Sequence, residues 1–123
     1  MDSVSGINAS MHLASGALAT HAVGMQVAAH NIANVSTGDF LPQRAIYATG
    51  PHGMGVALES VRRETEAATP VETGGIFGEK RASGTKLAKE IPQMISTQRA
   101  FEANAATVRV ADEMYGSLLN TIA

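Results

Sequence analysis

The sequence contains no cysteine, no tryptophan and only five aromatic residues in a chain of 123. The absence of cysteine excludes disulfides, thiolate metal sites and thiol nucleophiles. No uninterrupted apolar run approaches the roughly 18 to 20 residues that span a bilayer, and no basic start precedes an apolar run of the signal-peptide kind. The length fits one domain, whose core must be built from alanine, methionine, leucine, isoleucine and valine.

Charge is scarce at the two ends of the chain and concentrated in the middle. The first forty residues contain no lysine or arginine, and their only carboxylates are Asp2 and Asp39. A helix that faces solvent usually carries charges on its outer side, so this segment is not typical of an exposed surface helix. The net charge of −2 offers nucleic acid no overall attraction.

Both ends of the chain have helical periodicity. If residues are taken from Ile7 to Val35 at spacings that alternate between four and three, all of them are apolar except His21. The spacing predicts a helix from Ser3 or Ser5 to about Asn34, and a second from about Thr85 to Asn120. In the second helix the same steps backwards from Ile122 predict an inward row of Leu119, Tyr115, Asp112, Val108, Ala105, Phe101, Gln98, Met94 and Ile91. Pro92 either starts this helix near Ile91 or kinks it.

The middle of the chain predicts two short strands, at residues 43–49 and 55–65, joined by a turn at residues 50–53. An exposed charged loop follows them. The predicted organisation is an N-terminal helix and turn (1–40), a short β arm and charged loop (41–84), and a C-terminal helix (85–123). The predicted fold class is mainly α, with the two long terminal helices forming an antiparallel coiled-coil-like hairpin.

A hairpin of two helices has little interior, so we expect its remaining faces to pack against other subunits. The alternative is that the middle of the chain substitutes for a third helix in the monomer. The faces predicted to be exposed in a monomer include Leu13, Ala17, Ala22, Ala29 and Ala33.

The sequence predicts no catalytic, cofactor-binding or metal-binding residues. His12, His21 and His30 are nine residues apart, which places His21 on the opposite face of a helix from the other two, and His52 lies in a predicted turn. The order Gly84-Thr85-Lys86 differs from the Gly-Lys-Ser/Thr of a phosphate loop. No serine lies in a nucleophile elbow.

Polar side chains within the predicted helices need hydrogen-bond partners. Asn31, Asn34, Gln98, Arg99 and Asn104 are the most prominent of them. Gln98 lies on the predicted inward row, where a single polar residue can fix the register of packed helices. Periodicity alone leaves open whether Arg99 and Asn104 are simply exposed.

Two stretches resemble the signatures of the bacterial flagellar axial family, the rod and hook proteins. The first is Ala-His-Asn-Ile-Ala-Asn-Val-Ser-Thr-Gly-Asp-Phe at residues 29–40, and the second is Ile-Ser-Thr-Gln-Arg-Ala-Phe-Glu-Ala-Asn-Ala at residues 95–105, continuing to Met114. Family members usually have Gly followed by Tyr or Phe, whereas here Asp39 separates Gly38 from Phe40, so the turn is expected to differ. The short middle segment is similar to that of proximal-rod members.

The resemblance implies a structural subunit of the flagellar basal-body rod, not an enzyme, that self- and co-assembles through its terminal helices into the axial drive shaft. It implies other rod subunits, basal-body proteins and the flagellar type III export apparatus as partners, a homo- or hetero-oligomer, and a periplasmic rod location reached without a cleaved signal peptide. The alternative is a rod-like helical binding module or assembly regulator that is not incorporated. The expected assembly residues are Leu18, Met25, Asn31, Ile32, Asn34, Val35, Gln98, Arg99, Phe101, Asn104, Val108 and Leu119.

Overall fold

Two long α-helices dominate the fold, and a β-hairpin separates them in sequence. The computed structural model describes residues 2–65 and 81–123. Helix α1 spans Asp2–Ala33 and α2 spans Leu87–Ile122, so their 32 and 36 residues extend for about 48 and 54 Å at 1.5 Å per residue. The mainly helical class is confirmed. Most of the predicted charged loop, residues 66–80, lies outside the described residues.

Helix α1 ends in a turn that is closed by backbone hydrogen bonds. The Asn34 amide N–H donates to the carbonyls of His30 and Asn31, and the Val35 N–H donates to the carbonyl of Ile32. Asp39 adopts a left-handed backbone conformation with φ of 58°, which aspartate tolerates better than most residues. The turn before β1 therefore contains one left-handed residue, Asp39, which separates Gly38 from Phe40.

Helix α2 begins at Leu87, so a start near Ile91 is wrong and Pro92 lies inside the helix. The amide groups of Lys89 and Glu90 both donate to the carbonyl of Lys86, which closes the first turn ahead of the proline. Proline has no N–H, so Pro92 cannot make the usual helical bond to the carbonyl four residues earlier.

The β-hairpin consists of β1, Gln43–Thr49, and β2, Val56–Arg63, which pair antiparallel. Gln43 lies opposite Arg63, and a bulge between Ile46 and Tyr47 leaves Glu59 without an opposite residue. The connection contains a short 3-10 turn at Pro51–Gly53. The prediction of two strands is confirmed, with β2 ending two residues before the predicted limit.

Helices α1 and α2 lie side by side and run in opposite directions. The Tyr115 hydroxyl donates to the carbonyl of Val4 (3.3 Å) near one end, and Asn31 bonds to Glu90 near the other. The hairpin packs along the crease between them, where the Thr20 hydroxyl contacts the Val56 carbonyl (3.4 Å). The small buried apolar core consists of Ile7, Ala14, Ala17, Ala28 and Ala111.

The predicted inward row of α1 is confirmed, because all of its members from Ile7 to Val35 are buried or half-buried. The row predicted for α2 is only half correct. Met94, Phe101, Val108 and Tyr115 do face inward, but the intervening inward positions are one residue earlier than predicted. Those positions are Glu90, Thr97, Asn104, Ala111 and Leu118, whereas Ile91, Gln98, Ala105, Asp112 and Leu119 are exposed.

The faces predicted to be open in a monomer are mostly open. Leu13, Ala29 and Ala33 are exposed and Ala22 is half-buried, but Ala17 is buried, so its predicted exposure is wrong. Large apolar side chains are also exposed along α2, including Ile91, Ile95, Val110, Met114 and Leu119. Within the described parts of the chain, no helix has both the length and the apolar character needed to cross a membrane.

Candidate functional site

A polar cluster joins both helices to the base of the β-hairpin. We call it the clasp and define it by Asn31, Arg44, Glu64, Lys89 and Glu90. These residues come from the end of α1, from β1, from the position directly after β2 and from the first turn of α2. The clasp therefore fixes the relative positions of all the regular elements in the described structure.

Asn31 is at the centre of the clasp and is fully buried, with 0% exposure. Its Nδ2 donates to the carbonyl of Gln43 (2.7 Å) and to Glu90 Oε2 (3.1 Å), and its Oδ1 accepts from the Gln43 N–H (2.8 Å). The Thr85 hydroxyl donates to the Asn31 backbone carbonyl (3.1 Å). The side-chain amide thus bonds to both backbone polar groups of Gln43 and links α1 to both β1 and α2.

Glu90 is a carboxylate with only 1% exposure, and it needs compensation for the loss of water. Arg44 Nη2 donates to Glu90 Oε1 (3.1 Å), while Asn31 bonds to the other carboxylate oxygen. Glu90 also lies in the first turn of α2, where the helix dipole favours negative charge. Both oxygens of the buried carboxylate are therefore paired.

Glu64 extends the clasp to the surface. Its Oε1 accepts from Lys89 Nζ (2.8 Å) and from Arg44 Nε (2.9 Å). The hydrogen bond from Lys89 lowers the pKa of Glu64 below its ordinary value of 4.5, burial acts in the opposite direction, and Arg44 adds to the lowering. Glu64 therefore remains ionised to lower pH in the folded chain than in the unfolded one.

Acidification is expected to weaken the fold through Glu64. Because its pKa is lower in the folded state, the ionised carboxylate stabilises the fold above about pH 4.5, and this contribution is lost as the pH falls through the lowered pKa. The free energy of unfolding, measured with urea, should decrease less between about pH 7 and pH 3 in Glu64→Gln than in the unmodified chain. Glu59→Gln, which removes an exposed carboxylate outside the clasp, is the matched control. If the pH dependence of the free energy of unfolding were the same in Glu64→Gln as in the unmodified chain, Glu64 would not be a source of the acid destabilisation.

The segment after α1 is tied to the segment before α2. The Asp39 N–H donates to the carbonyl of Arg81 (2.9 Å), and Asp39 Oδ1 accepts from the Arg81 N–H (3.2 Å). The Gly84 N–H donates to the carbonyl of Phe40 (2.9 Å). Residues of the first signature thus hold the approach to the helix that carries the second signature.

A second close contact joins the hairpin to the helices at Gly24. A β-carbon at this position would collide with the Tyr47 hydroxyl and would lie 3.2 Å from Thr97 Cγ2. Burial raises the pKa of Tyr47 above its ordinary value of 10.0, and the ring lies 6.1 Å from that of His21. Gly24 is required here for the close approach of β1 and α2 to α1.

The predicted assembly residues divide by location. Asn31 belongs to the clasp, and Asn34 donates to the His30 carbonyl (2.9 Å) and accepts from the Thr37 hydroxyl (3.0 Å). Gln98 and Arg99 are exposed; Gln98 bonds to Glu102 (3.0 Å), so its predicted place on the inward row is wrong. Leu119 is 68% exposed. Asn34 is half-buried, and the other half-buried members are Leu18, Met25, Ile32, Val35, Phe101, Asn104 and Val108.

The described histidines belong to no metal-binding cluster, and both carboxylates that line the cavity beside the clasp are paired. The part of the chain that the structure describes contains no group of three or more histidines and carboxylates placed to hold a metal ion. A cavity of about 460 Å³ adjoins the clasp, but its two carboxylates, Glu64 and Glu90, are already paired with Arg44 and Lys89. Thr85, part of the sequence that resembles a phosphate loop, is buried and bonds to Asn31.

The sequence singles out Asn31 but not the other members of the clasp. Arg44 and Glu64 lie in the predicted strands, Lys89 lies in the predicted second helix, and Glu90 stands one position before the predicted inward row. The available signal was the polar spacing of Glu90, Thr97 and Asn104 at intervals of seven residues, which places these side chains on one face of α2.

Two comparisons with known proteins agree with the signatures. The family model described as the C-terminal region of the flagellar basal body rod FlgEFG proteins matches residues 81–121, which contain all of α2 except its last residue. The chain is 28% identical to the flagellar basal-body rod protein FlgC of Borreliella burgdorferi over 146 aligned positions, covering 93% of this chain and 96% of that relative. Both matches agree with the resemblance of this chain to flagellar basal-body rod proteins.

Proposed function

We propose that this chain is a structural subunit of the flagellar basal-body rod that self- and co-assembles through α1 and α2 into the axial drive shaft. The similarity to FlgC over almost the whole chain carries the proposal. The surface of the helices supports it: α1 has no lysine, no arginine and no carboxylate after Asp2, and α2 exposes several large apolar side chains. Surfaces of this kind are typical of buried contacts between subunits.

The two helices act in this proposal as an antiparallel coiled-coil-like hairpin. Their contacts at both ends and the alanine-rich core between them are compatible with close helix packing. Repetition of one heterologous contact that does not close on itself builds a tubular filament. The domain organisation is then one helical domain, residues 1–40 with 85–123, carrying the β arm and charged loop of residues 41–84.

The clasp gives such a subunit its stiffness. A drive shaft transmits torque only if its subunits keep their shape under load. Arg44 and Asn31 fix the base of the hairpin to both helices through hydrogen bonds to Glu90. The role of the clasp in the proposal is mechanical, and no catalytic step is assigned to it.

The proposed partners are other rod subunits, basal-body proteins and the flagellar type III export apparatus. The proposed location is the periplasmic rod of the basal body, reached by export without a cleaved signal peptide. The test is fractionation: basal bodies purified from motile cells should contain the chain. Its absence from them, with motility still dependent on it, would favour an assembly regulator that is not incorporated.

Introducing a charge into the inward row should abolish assembly. Leu18 and Val108 are half-buried on α1 and α2. Leu18→Asp or Val108→Asp would place an unpaired carboxylate among apolar side chains, and swimming in soft agar should be lost. Ser83→Asp is the matched control, because a carboxylate can accept the Thr85 N–H as the Ser83 hydroxyl does (3.2 Å). Normal swimming with Leu18→Asp would contradict the proposal.

A further inference from the structure

Positive charge remains without a counter-ion where β2 ends and α2 begins. Both carboxylates of the clasp are paired with the clasp's own cations. Arg62, Arg63 and Lys86 are exposed, and no ion pair joins any of them to another described residue. We call these three residues the basic corner. The corner is positively charged although the net charge of the chain is −2.

The cavity of about 460 Å³ beside the clasp opens at the basic corner. Arg63, the last residue of β2, and Lys86, directly before α2, both line it. The first turn of α2 adds positive potential there, because the N–H groups at the start of a helix carry partial positive charge. An anionic group can therefore enter the cavity and meet two free cations without breaking a bond of the clasp.

The outer edge of β2 is open beside Arg63. Asn31 binds both backbone polar groups of Gln43, so these groups point away from β2. Gln43 lies opposite Arg63, and in an antiparallel ladder the backbone groups of both members of such a pair point outwards. The same alternation applies to Val61, which lies opposite Ala45. Val61 and Arg63 are exposed and thus offer their N–H and C=O groups to an added strand.

We propose that an extended acidic segment of a partner protein binds here, pairs with the outer edge of β2 and places its carboxylates against the basic corner. The charge of the corner favours an acidic partner. The open strand edge favours a polypeptide, because a peptide backbone pairs with successive N–H and C=O groups along a strand, whereas a small anion does not. The surface lies outside α1 and α2, so this partner is additional to any subunit that packs on the helices.

An NMR titration of the isotope-labelled full chain tests the proposal. The probe is a short synthetic peptide in which glutamate alternates with threonine. The amide signals of Val61 and Arg63 should shift and saturate, and added salt should weaken the binding by screening the charges. The same peptide with glutamine in place of glutamate should bind about tenfold more weakly or worse, because it keeps the backbone pairing and loses the ion pairs.

Substitutions in the basic corner provide the second measurement. Arg63→Gln with Lys86→Gln should weaken binding of the glutamate peptide about tenfold, which corresponds to the loss of two partly exposed ion pairs. Arg109→Gln is the matched control, because Arg109 is also exposed and without an ion pair among the described residues but lies in the second half of α2. If the double variant does not fold, the comparison of the two peptides on the unmodified chain decides.

Several results would overturn the proposal. They are unmoved Val61 and Arg63 signals, equal binding of the two peptides, and equal weakening by Arg109→Gln. Inorganic phosphate is the further probe: if phosphate shifts Arg63 and Lys86 while the peptide leaves Val61 unmoved, the site takes a small anion and the polypeptide is rejected. All of these results come from the purified chain and leave the proposed function standing, whereas absence of the chain from basal bodies would overturn that function alone.

Discussion

Arg44→Met is expected to lower the free energy of unfolding by about 3 to 5 kcal/mol, the range observed when one partner of a buried ion pair is removed. Arg44 is the cation on Glu90, whose carboxylate is 1% exposed. Without it, Glu90 remains in the interior with Asn31 as its remaining side-chain partner among the described residues. Urea unfolding followed by circular dichroism measures the loss.

A second substitution separates the charge from the packing. In Arg44→Met with Glu90→Gln, the buried charge is gone, and the glutamine oxygen can still accept from Asn31. Most of the lost stability should return, because replacing both members of a buried ion pair is often nearly neutral. If the double variant is as unstable as Arg44→Met, the loss comes from packing or from Glu64, and the clasp does not work as described.

Gly24→Ala is expected to destabilise the chain by about 1 to 3 kcal/mol, the usual cost of overpacking, although alanine is the better helix former. The added β-carbon collides with the Tyr47 hydroxyl and presses on Thr97. The collision pushes β1 away from the helices. Thermal unfolding of the purified chain reports the loss.

Tyr47→Phe provides the matched rescue of Gly24→Ala. It removes the hydroxyl that occupies the space of the new β-carbon and keeps the ring against His21. The double variant should recover most of the stability, and the helix propensity of alanine adds about 1 kcal/mol to it. Equal instability of the single and double variants would show that the glycine is needed for another reason.

The elements of the fold were predictable because their signals are local. Alanine-rich segments of helical period, the turn residues after Val35 and the β-branched strands on either side of Pro51 each depend on neighbouring residues. The helices and strands consequently lie within three residues of their predicted limits.

The inward row of α2 was predicted only in part because apolar residues in this chain are not sorted into inside and outside. Ile91, Ala105 and Leu119 are exposed, whereas Glu90, Thr97 and Asn104 face α1. A row chosen by counting apolar residues is therefore rotated around α2, away from the face that contacts α1. We attribute this to the proposed contacts with neighbouring subunits, for which the exposed aliphatic side chains would be suited.

The clasp could not be read from the sequence because its members come from four separate segments. Asn31 and Glu90 are 59 positions apart, and nothing near either residue indicates the other. The polar character of Asn31 required a partner, but only the packing of the hairpin against both helices determines which groups reach it. Side-chain pairing over such distances follows from tertiary structure and not from periodicity.

The central claim is that α1 and α2 build the rod wall by packing against neighbouring subunits, and electron cryomicroscopy of intact basal bodies tests it most directly. We predict density for this chain within the rod, with the exposed faces of both helices, including Ile91 and Leu119, buried against adjacent subunits. Density that places the chain outside the rod, or within it with these helix faces open to solvent, would contradict the claim.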